Sequence, residues 1–198
     1  MTLASAPARV LAVGAHADDI ELFAGATLAT WAASGCEVHH LVCTDGSKGT
    51  WDPVADTTAL VAARQEEQRE AAQILGATGE VVFLDNIDGE LDAHRENAHE
   101  VAAWIRRIKP DVVLGHDPWR RWRLHPDHRA AGFLVTDGVV AARDPHFLTD
   151  LGTAHHRPDM LLLFDTEDPD YPVEVTEEAA STKVKAILAH RSQLLSTM

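Results

Sequence analysis

With 198 residues, 45% of them hydrophobic and 24% charged, the chain is long enough to bury a core without disulfide staples and reads as one domain spanning 1–198. Its formal charge of −14, from 31 acidic against 17 basic residues, repels phosphate backbones and anionic membranes, so nucleic acid is not an expected partner. No stretch approaches the roughly 20 apolar residues of a membrane span, and the apolar run before His16 is too short for a signal-peptide core. Cys36 and Cys43 fall at the two ends of one predicted strand, too far apart to bridge. These features predict a reduced, cytoplasmic protein.

Residues 1–8 read as a frayed end, and Arg9 to Gly14 as the first strand, an apolar run that delivers Ala15-His16-Ala17-Asp18-Asp19-Ile20-Glu21 at its carboxyl end. Leu22 to Ala33 follows as a helix ending near Gly35. Val38 to Cys43 is the second strand; its adjacent His39 and His40 point to opposite faces, cannot serve one site, and are assigned structural or surface roles. The loop from Thr44 to Pro53, with Lys48 and Trp51, reads equally as a substrate-touching loop and as a surface turn. Asp56 to Leu75 is a long helix capped by Gly76, with Ala71, Ala72, Ile74 and Leu75 in its apolar stripe. Its Arg64, Glu66, Glu67, Arg69 and Glu70 read as a solvated, salt-bridged face.

Val81 to Leu84 is a third strand, followed by a turn-rich loop from Asp85 to Glu90. Ala98 to Ile108 is helical and is stopped by Pro110, and Asp111 to Gly115 is the fourth strand. His94 and His99 fall on polar positions. The loop 116–124 concentrates Trp119, Arg120, Arg121, Trp122 and Arg123, residues able to stack on single-stranded nucleic acid or on a sugar face. The global acidity, and the passage of this loop straight into His125, favour a wall of a site pocket. His125-Pro126-Asp127-His128 opens a helix from Arg129 to Ala142. Met160 to Phe164 and Val173 to Val175 read as further strands, and Thr176 starts a last helix carrying His190 and Arg191 toward its end.

Strands alternating with helices specify an α/β fold, Rossmann-like, with a mostly parallel sheet flanked by helices on both faces and a ligand crevice at the strands' carboxyl ends. His16 and Asp19 offer there a neutral nitrogen and a hard oxygen, a mixture that suits Zn²⁺ or another divalent metal. His125-Pro126-Asp127-His128 is the strong downstream source of a third ligand, and Asp18 stays uncommitted. The first strand is not followed by Gly-x-Gly-x-x-Gly and no Walker-type loop occurs. Both absences weigh against a nucleotide-binding module without turnover.

The stretch from Ala15 to Glu21 resembles the Ala-His-Pro-Asp-Asp-x-Glu signature of the LmbE-like (PIG-L) zinc-dependent N-deacetylases, and His125 to His128 matches that family's His-Pro-Asp-His motif. Further similarity runs through Thr44 to Gly49, Arg64 to Gly76, Asp88 to Leu91, Pro110 to Val113 and His190-Arg191-Ser192-Gln193. Ala17 departs from the pattern, because it stands where the family usually has Pro and so frees a φ angle beside the carboxylates. Members of the family continue further past the last of these stretches.

The resemblance implies that His16, Asp19 and His128 bind the metal, leaving a position for water, with Asp18 as general base. His125 fits the donor to the developing oxyanion, and Asp127 is expected either to orient His125 or to cap the helix. Asp18 or His125 delivers the proton to the departing amine. Arg64 is implied as a substrate contact and Asp88 as an acceptor for sugar hydroxyls. Glu21 follows the pattern without a role. The implied substrate is a small-molecule N-acetylated sugar conjugate; a metal-dependent amidase or esterase acting on a non-sugar substrate is the alternative, and a homo-oligomer stays open.

Overall fold

In the computed structural model, which describes residues 6–194, residues 1–5 of the expected frayed end and residues 195–198 fall outside the described part. The apolar runs form five strands: β1 (Arg9–Gly14), β2 (Glu37–Thr44), β3 (Val81–Asn86), β4 (Val112–His116) and β5 (Met160–Phe164). Every pairing is parallel, in the order β3-β2-β1-β4-β5, with Leu11 opposite His39 on one side and Val113 on the other. Side chains alternate between faces along a strand, so β1 sends Val10 and Ala12 to one face and Leu11 and Val13 to the other. The first face packs on Ile20 and Leu28 of α1 (Asp19–Ala33), Ala71 of α2 (Thr57–Ile74) and Ala186 of α5 (Glu177–Ala189). The second packs on Val101 and Ile105 of α3 (Arg95–Ile108) and Leu134 of α4 (Pro126–Arg143). A sheet covered on both faces favours apolar strands, and β1, β4 and β5 read as nearly continuous apolar runs, while β2 buries His39 and His40.

The chain winds outward from β1 to β3 and then returns across the sheet to β4. The connections after β1 and β4 therefore diverge and leave a crevice between their carboxyl ends. Both polar motifs start helices at this crevice. Helix α1 begins at Asp19 and α4 at Pro126, each three residues earlier than expected from hydrophobic periodicity. Proline at the first helical position loses no hydrogen bond, and the His125 side chain caps the turn by accepting the Asp127 N–H.

Buried Arg106 locks α3 to the end of α4 and the turn after it by donating to the carbonyls of Ala141, Ala142, Asp144, Phe147 and Leu148. The segment 173–175 carries no strand pairing, so that expectation is corrected and β5 is the edge of the sheet. Cys36 and Cys43 are both buried free thiols. Among the described residues, no helix is long and apolar enough to cross a membrane.

Candidate active site

The site begins with a strained turn. Asp18, the residue before α1, adopts φ +108°, a conformation that costs an L-residue about 1–3 kcal/mol and persists only where its surroundings hold it. Two side chains of α2 do so. Gln68 Oε1 accepts the Asp18 N–H at 3.1 Å, and Arg64 Nη2 donates to the Ala17 carbonyl at 2.7 Å. The rigidity a proline would lend at position 17 thus comes from hydrogen bonds on either side. Asp19 Oδ2 closes the turn by accepting the His16 N–H at 2.8 Å.

The turn aims His16 and Asp19 at α4. His16 Nδ1 lies 3.3 Å from His128 Nε2 and 3.5 Å from Asp19 Oδ2, and His128 Nε2 lies 3.2 Å from Asp19 Oδ1. Ligands about 2.0–2.1 Å from a tetrahedral ion stand about 3.3–3.4 Å apart, so the two imidazole nitrogens are spaced as one edge of such a shell, with the Asp19 carboxylate beside both, facing one through Oδ2 and the other through Oδ1. His16 Nε2 is engaged elsewhere, at 3.1 Å from Asp127 Oδ2 and 3.2 Å from Asp88 Oδ1. A ring nitrogen anchored by carboxylates leaves the other one aimed at a cation.

The structure also brings in a residue that was not singled out in the sequence. His116, the last residue of β4, is fully buried with Nε2 at 3.2 Å from Asp19 Oδ2. Asp19, His116 and His128 form one group with metal-ligand spacing, and His16, His125 and His128 another. The signal for His116 was its position, a histidine ending a buried strand beside the switch point. Arg123 joins the two rings, with Nη1 3.2 Å from His116 Nδ1 and 3.3 Å from His128 Nδ1, and is itself held by Asp165 at 2.6 Å.

The charges follow from this packing. Burial would depress the His16 imidazole, but hydrogen bonds to Asp127, Asp19 and Asp88 prevail and hold it well above its ordinary range. Burial would raise Asp19, yet His116, His128 and His16 hold it well below. Asp88 and Asp127 are likewise held low against burial, each chiefly by His16. Asp18 differs: burial, then the neighbouring Asp19 carboxylate, push it up to about 6 against the pull of Arg64 and His190. Four carboxylates thus converge on one imidazole cluster, an environment that demands positive charge.

Asp18, His125, His128, Arg64, Asp88 and Asp19 share one cavity of about 470 Å³ with His16. Several sequence readings change here. The Asp127 carboxylate is turned to His16 and to the N–H groups of Gly89 (2.6 Å) and Leu91 (3.3 Å), and it is the Asp127 backbone that meets His125. Because His125 Nδ1 accepts that N–H, the proton of the neutral ring sits on Nε2. Arg64 and Glu67 are buried rather than solvated: Arg64 braces the carbonyls of Ala17 and Gly46, and Glu67 receives the Ser192 N–H and hydroxyl at 2.9 and 2.6 Å. The two tryptophans of the 116–124 loop do not line this cavity; Trp119 faces a second groove and Trp122 is 84% exposed. Only Arg123 of that loop reaches the histidines.

Glu21 gains a place as well. Fully buried, it accepts from Gln68 Nε2 at 2.8 Å and lies 3.2 Å from His190 Nε2, so the His-x-Ser-Gln stretch is tied to the same α2 residue that holds Asp18.

The family model described as GlcNAc-PI de-N-acetylase (PIG-L) matches residues 11–139. A diacetylchitobiose deacetylase from Thermococcus kodakarensis is 36% identical over 93% of this chain and 70% of its own length. A structure of the N,N'-diacetylchitobiose deacetylase from Pyrococcus horikoshii, complexed with its inhibitor MPG, superposes with a TM-score of 0.90 at 33% identity, covering 96% of this chain and 72% of that one. A 4-oxalmesaconate hydratase from Pseudomonas putida is 33% identical over 67% of this chain and 52% of its own length. On sequence and fold alike, the chain belongs to the PIG-L family of deacetylase-like domains.

Proposed function

We propose that the protein is a metal-dependent hydrolase that removes the N-acetyl group from an N-acetylated amino sugar or its conjugate. The observation that carries this reading is the meeting of His16, Asp19 and His128 at 3.2–3.5 Å beside the uncommitted Asp18 carboxylate. The family and the similar diacetylchitobiose deacetylases support the sugar.

His16 through Nδ1, Asp19 through its carboxylate and His128 through Nε2 would hold the ion, with Zn²⁺ the metal that best suits two imidazoles and one carboxylate. When bound, such an ion supplies Lewis acidity, polarising a carbonyl and lowering the pKa of water to about 7. Asp18 takes the proton of the water whose oxygen bonds to the acetyl carbon. The carbonyl oxygen gains charge as the carbon becomes tetrahedral, and His125 Nε2–H is the donor that meets it. The C–N bond then breaks: the amine leaves with a proton from Asp18 or His125, and acetate remains. Asp127 and Asp88 keep His16 oriented, and Arg64 and Gln68 keep Asp18 in its strained turn. Arg64 and Asp88 also line the cavity, which supports substrate contact by both.

The resemblance to a hydratase favours a second reading, addition of water to an unsaturated acid. Zinc-loaded protein incubated with N-acetylglucosamine and a panel of its glycosides separates the two. Equal amounts of acetate and free amine are expected. No acetate from any member of the panel would reject the deacetylase reading.

A further inference from the structure

The rear nitrogens of the two histidines that would hold the metal face opposite chemistry. Behind His16, Nε2 meets two carboxylates, Asp127 at 3.1 Å and Asp88 at 3.2 Å. Behind His128, Nδ1 meets Arg123 Nη1 at 3.3 Å. We infer that Arg123 is a built-in competitor of the metal: it makes His128 the weak ligand of the three and the ion exchangeable, so that occupancy of the site follows the free metal concentration. The inference rests on the metal-dependent reading and names a regulation of that same site.

The direction of the hydrogen bonds argues first. A guanidinium has five N–H donors and no acceptor, so it can bond only to a lone pair. Facing Arg123, Nδ1 of His128 is therefore the acceptor. The proton of the neutral ring then sits on Nε2, the nitrogen an ion needs, 3.2 Å from Asp19 Oδ1. An ion taken up at Nε2 displaces that proton, the neutral ring carries its proton on Nδ1 instead, and this N–H meets the guanidinium donor against donor. A metal-binding histidine ordinarily gives its other N–H to a carboxylate, a carbonyl or a water. His16 conforms to this and His128 does not.

The packing argues second, because neither group is free to turn away. The His128 ring is flanked by two near-parallel imidazoles, His116 at 4.4 Å and 16° and His125 at 4.9 Å and 21°. Arg123 is 8% exposed, its Nη2 donates to the Asp165 carbonyl at 3.0 Å and pairs with the Asp165 carboxylate at 2.6 Å, and its own carbonyl accepts from Arg129. Asp165 offsets the charge of the guanidinium but places no acceptor at His128 Nδ1. The same Nη1 also meets His116 Nδ1 at 3.2 Å, so the group of Asp19, His116 and His128 has a guanidinium behind both of its rings. That contrast favours His16 over His116 as the second imidazole ligand.

The test titrates zinc into wild type, Arg123→Met and Arg123→Gln in competition with a chromophoric chelator, which reads affinity without turnover. Methionine removes the donors and fills the space, glutamine can turn a carbonyl toward Nδ1, and Asp165 keeps Arg120 as its partner in both. Both variants should bind zinc about tenfold or more tightly than wild type, the size by which a group behind a ligand sets metal affinity, and should lose it more slowly to excess chelator. Urea unfolding identifies the variants that keep the fold. Ring-nitrogen NMR of wild type needs no variant: His128 should carry its proton on Nε2 without metal and on Nδ1 with zinc. Affinity unchanged or weaker in the folded variants, or a metal-free ring protonated on Nδ1, overturns the inference and leaves the metal reading standing. If neither wild type nor the variants take up zinc, the metal reading fails and takes the inference with it.

Discussion

Gln68→Met tests whether the site is held together from behind. Methionine keeps the length of the side chain and removes every polar atom. Gln68 is fully buried and makes three contacts: its Oε1 takes the Asp18 N–H at 3.1 Å, and its Nε2 faces Glu21 Oε1 at 2.8 Å and His40 Nδ1 at 3.1 Å. A neutral hydrogen bond contributes about 1 kcal/mol and one to a buried carboxylate about 1.5–3 kcal/mol, so the variant should lose about 3–5 kcal/mol. In urea, with a slope of about 2–3 kcal/mol/M, the midpoint falls by about 1–2 M. Asp18 also loses the hydrogen bond that steadies its strained turn, and a misplacement of the order of 1 Å costs up to about 100-fold in rate. Urea unfolding and kcat on the same preparation check both effects. A folded variant with unchanged kcat would refute the claim that Gln68 positions Asp18, and a loss below about 1 kcal/mol would refute the bonding argument.

Gly132→Ala should push α4 off the end of β4, since a Cβ there would stand 2.7 Å from the His116 carbonyl oxygen and 2.9 Å from Pro118; a loss of about 1–3 kcal/mol and weaker metal uptake are expected in unfolding and binding titrations. Chelation should lower Tm by roughly 8–16 °C if the metal is normally present near 1,000 times its Kd, and calorimetry with and without chelator reads this directly. His40 is fully buried, and burial foremost depresses its pKa in the folded state against the pull of Glu21. The unfolded chain therefore takes the proton first, and folding stability should fall as pH drops below about 6.5, by up to about 1.4 kcal/mol per unit from this group. Urea midpoints from pH 7.5 to 5 should show a shallower decline in His40→Leu.

The strands were legible because each centres on a short, mostly apolar run: β1 and β5 match residue for residue, and β2 and β4 differ by single residues at their ends. β3 continues to Asp85 and Asn86, polar residues no apolar run could include. The starts of α1 and α4 were hidden because Asp19, Pro126 and Asp127 read as loop residues until their capping geometry is known. Candidate ligands were visible as residue types, whereas their surroundings were not. Arg64, Glu67 and Gln68 lie on what local sequence makes the polar side of a surface helix, and only contacts to Ala17, Ser192 and Glu21, far away in the chain, bury them. Asp127 was paired by proximity in sequence with His125, while its carboxylate satisfies His16 from 111 residues away. Trp119 and Trp122 were assigned by composition, which cannot say toward which cavity a loop turns.

The central assignment, a carboxylate at position 18 that moves a proton without holding the metal, is tested most directly by kcat for acetate release from zinc-loaded Asp18→Asn. The account gives a fall of about 10²–10⁴, the usual contribution of a general base, with one metal ion still bound per chain. An Asn variant that keeps wild-type turnover, or that loses its metal, would contradict it.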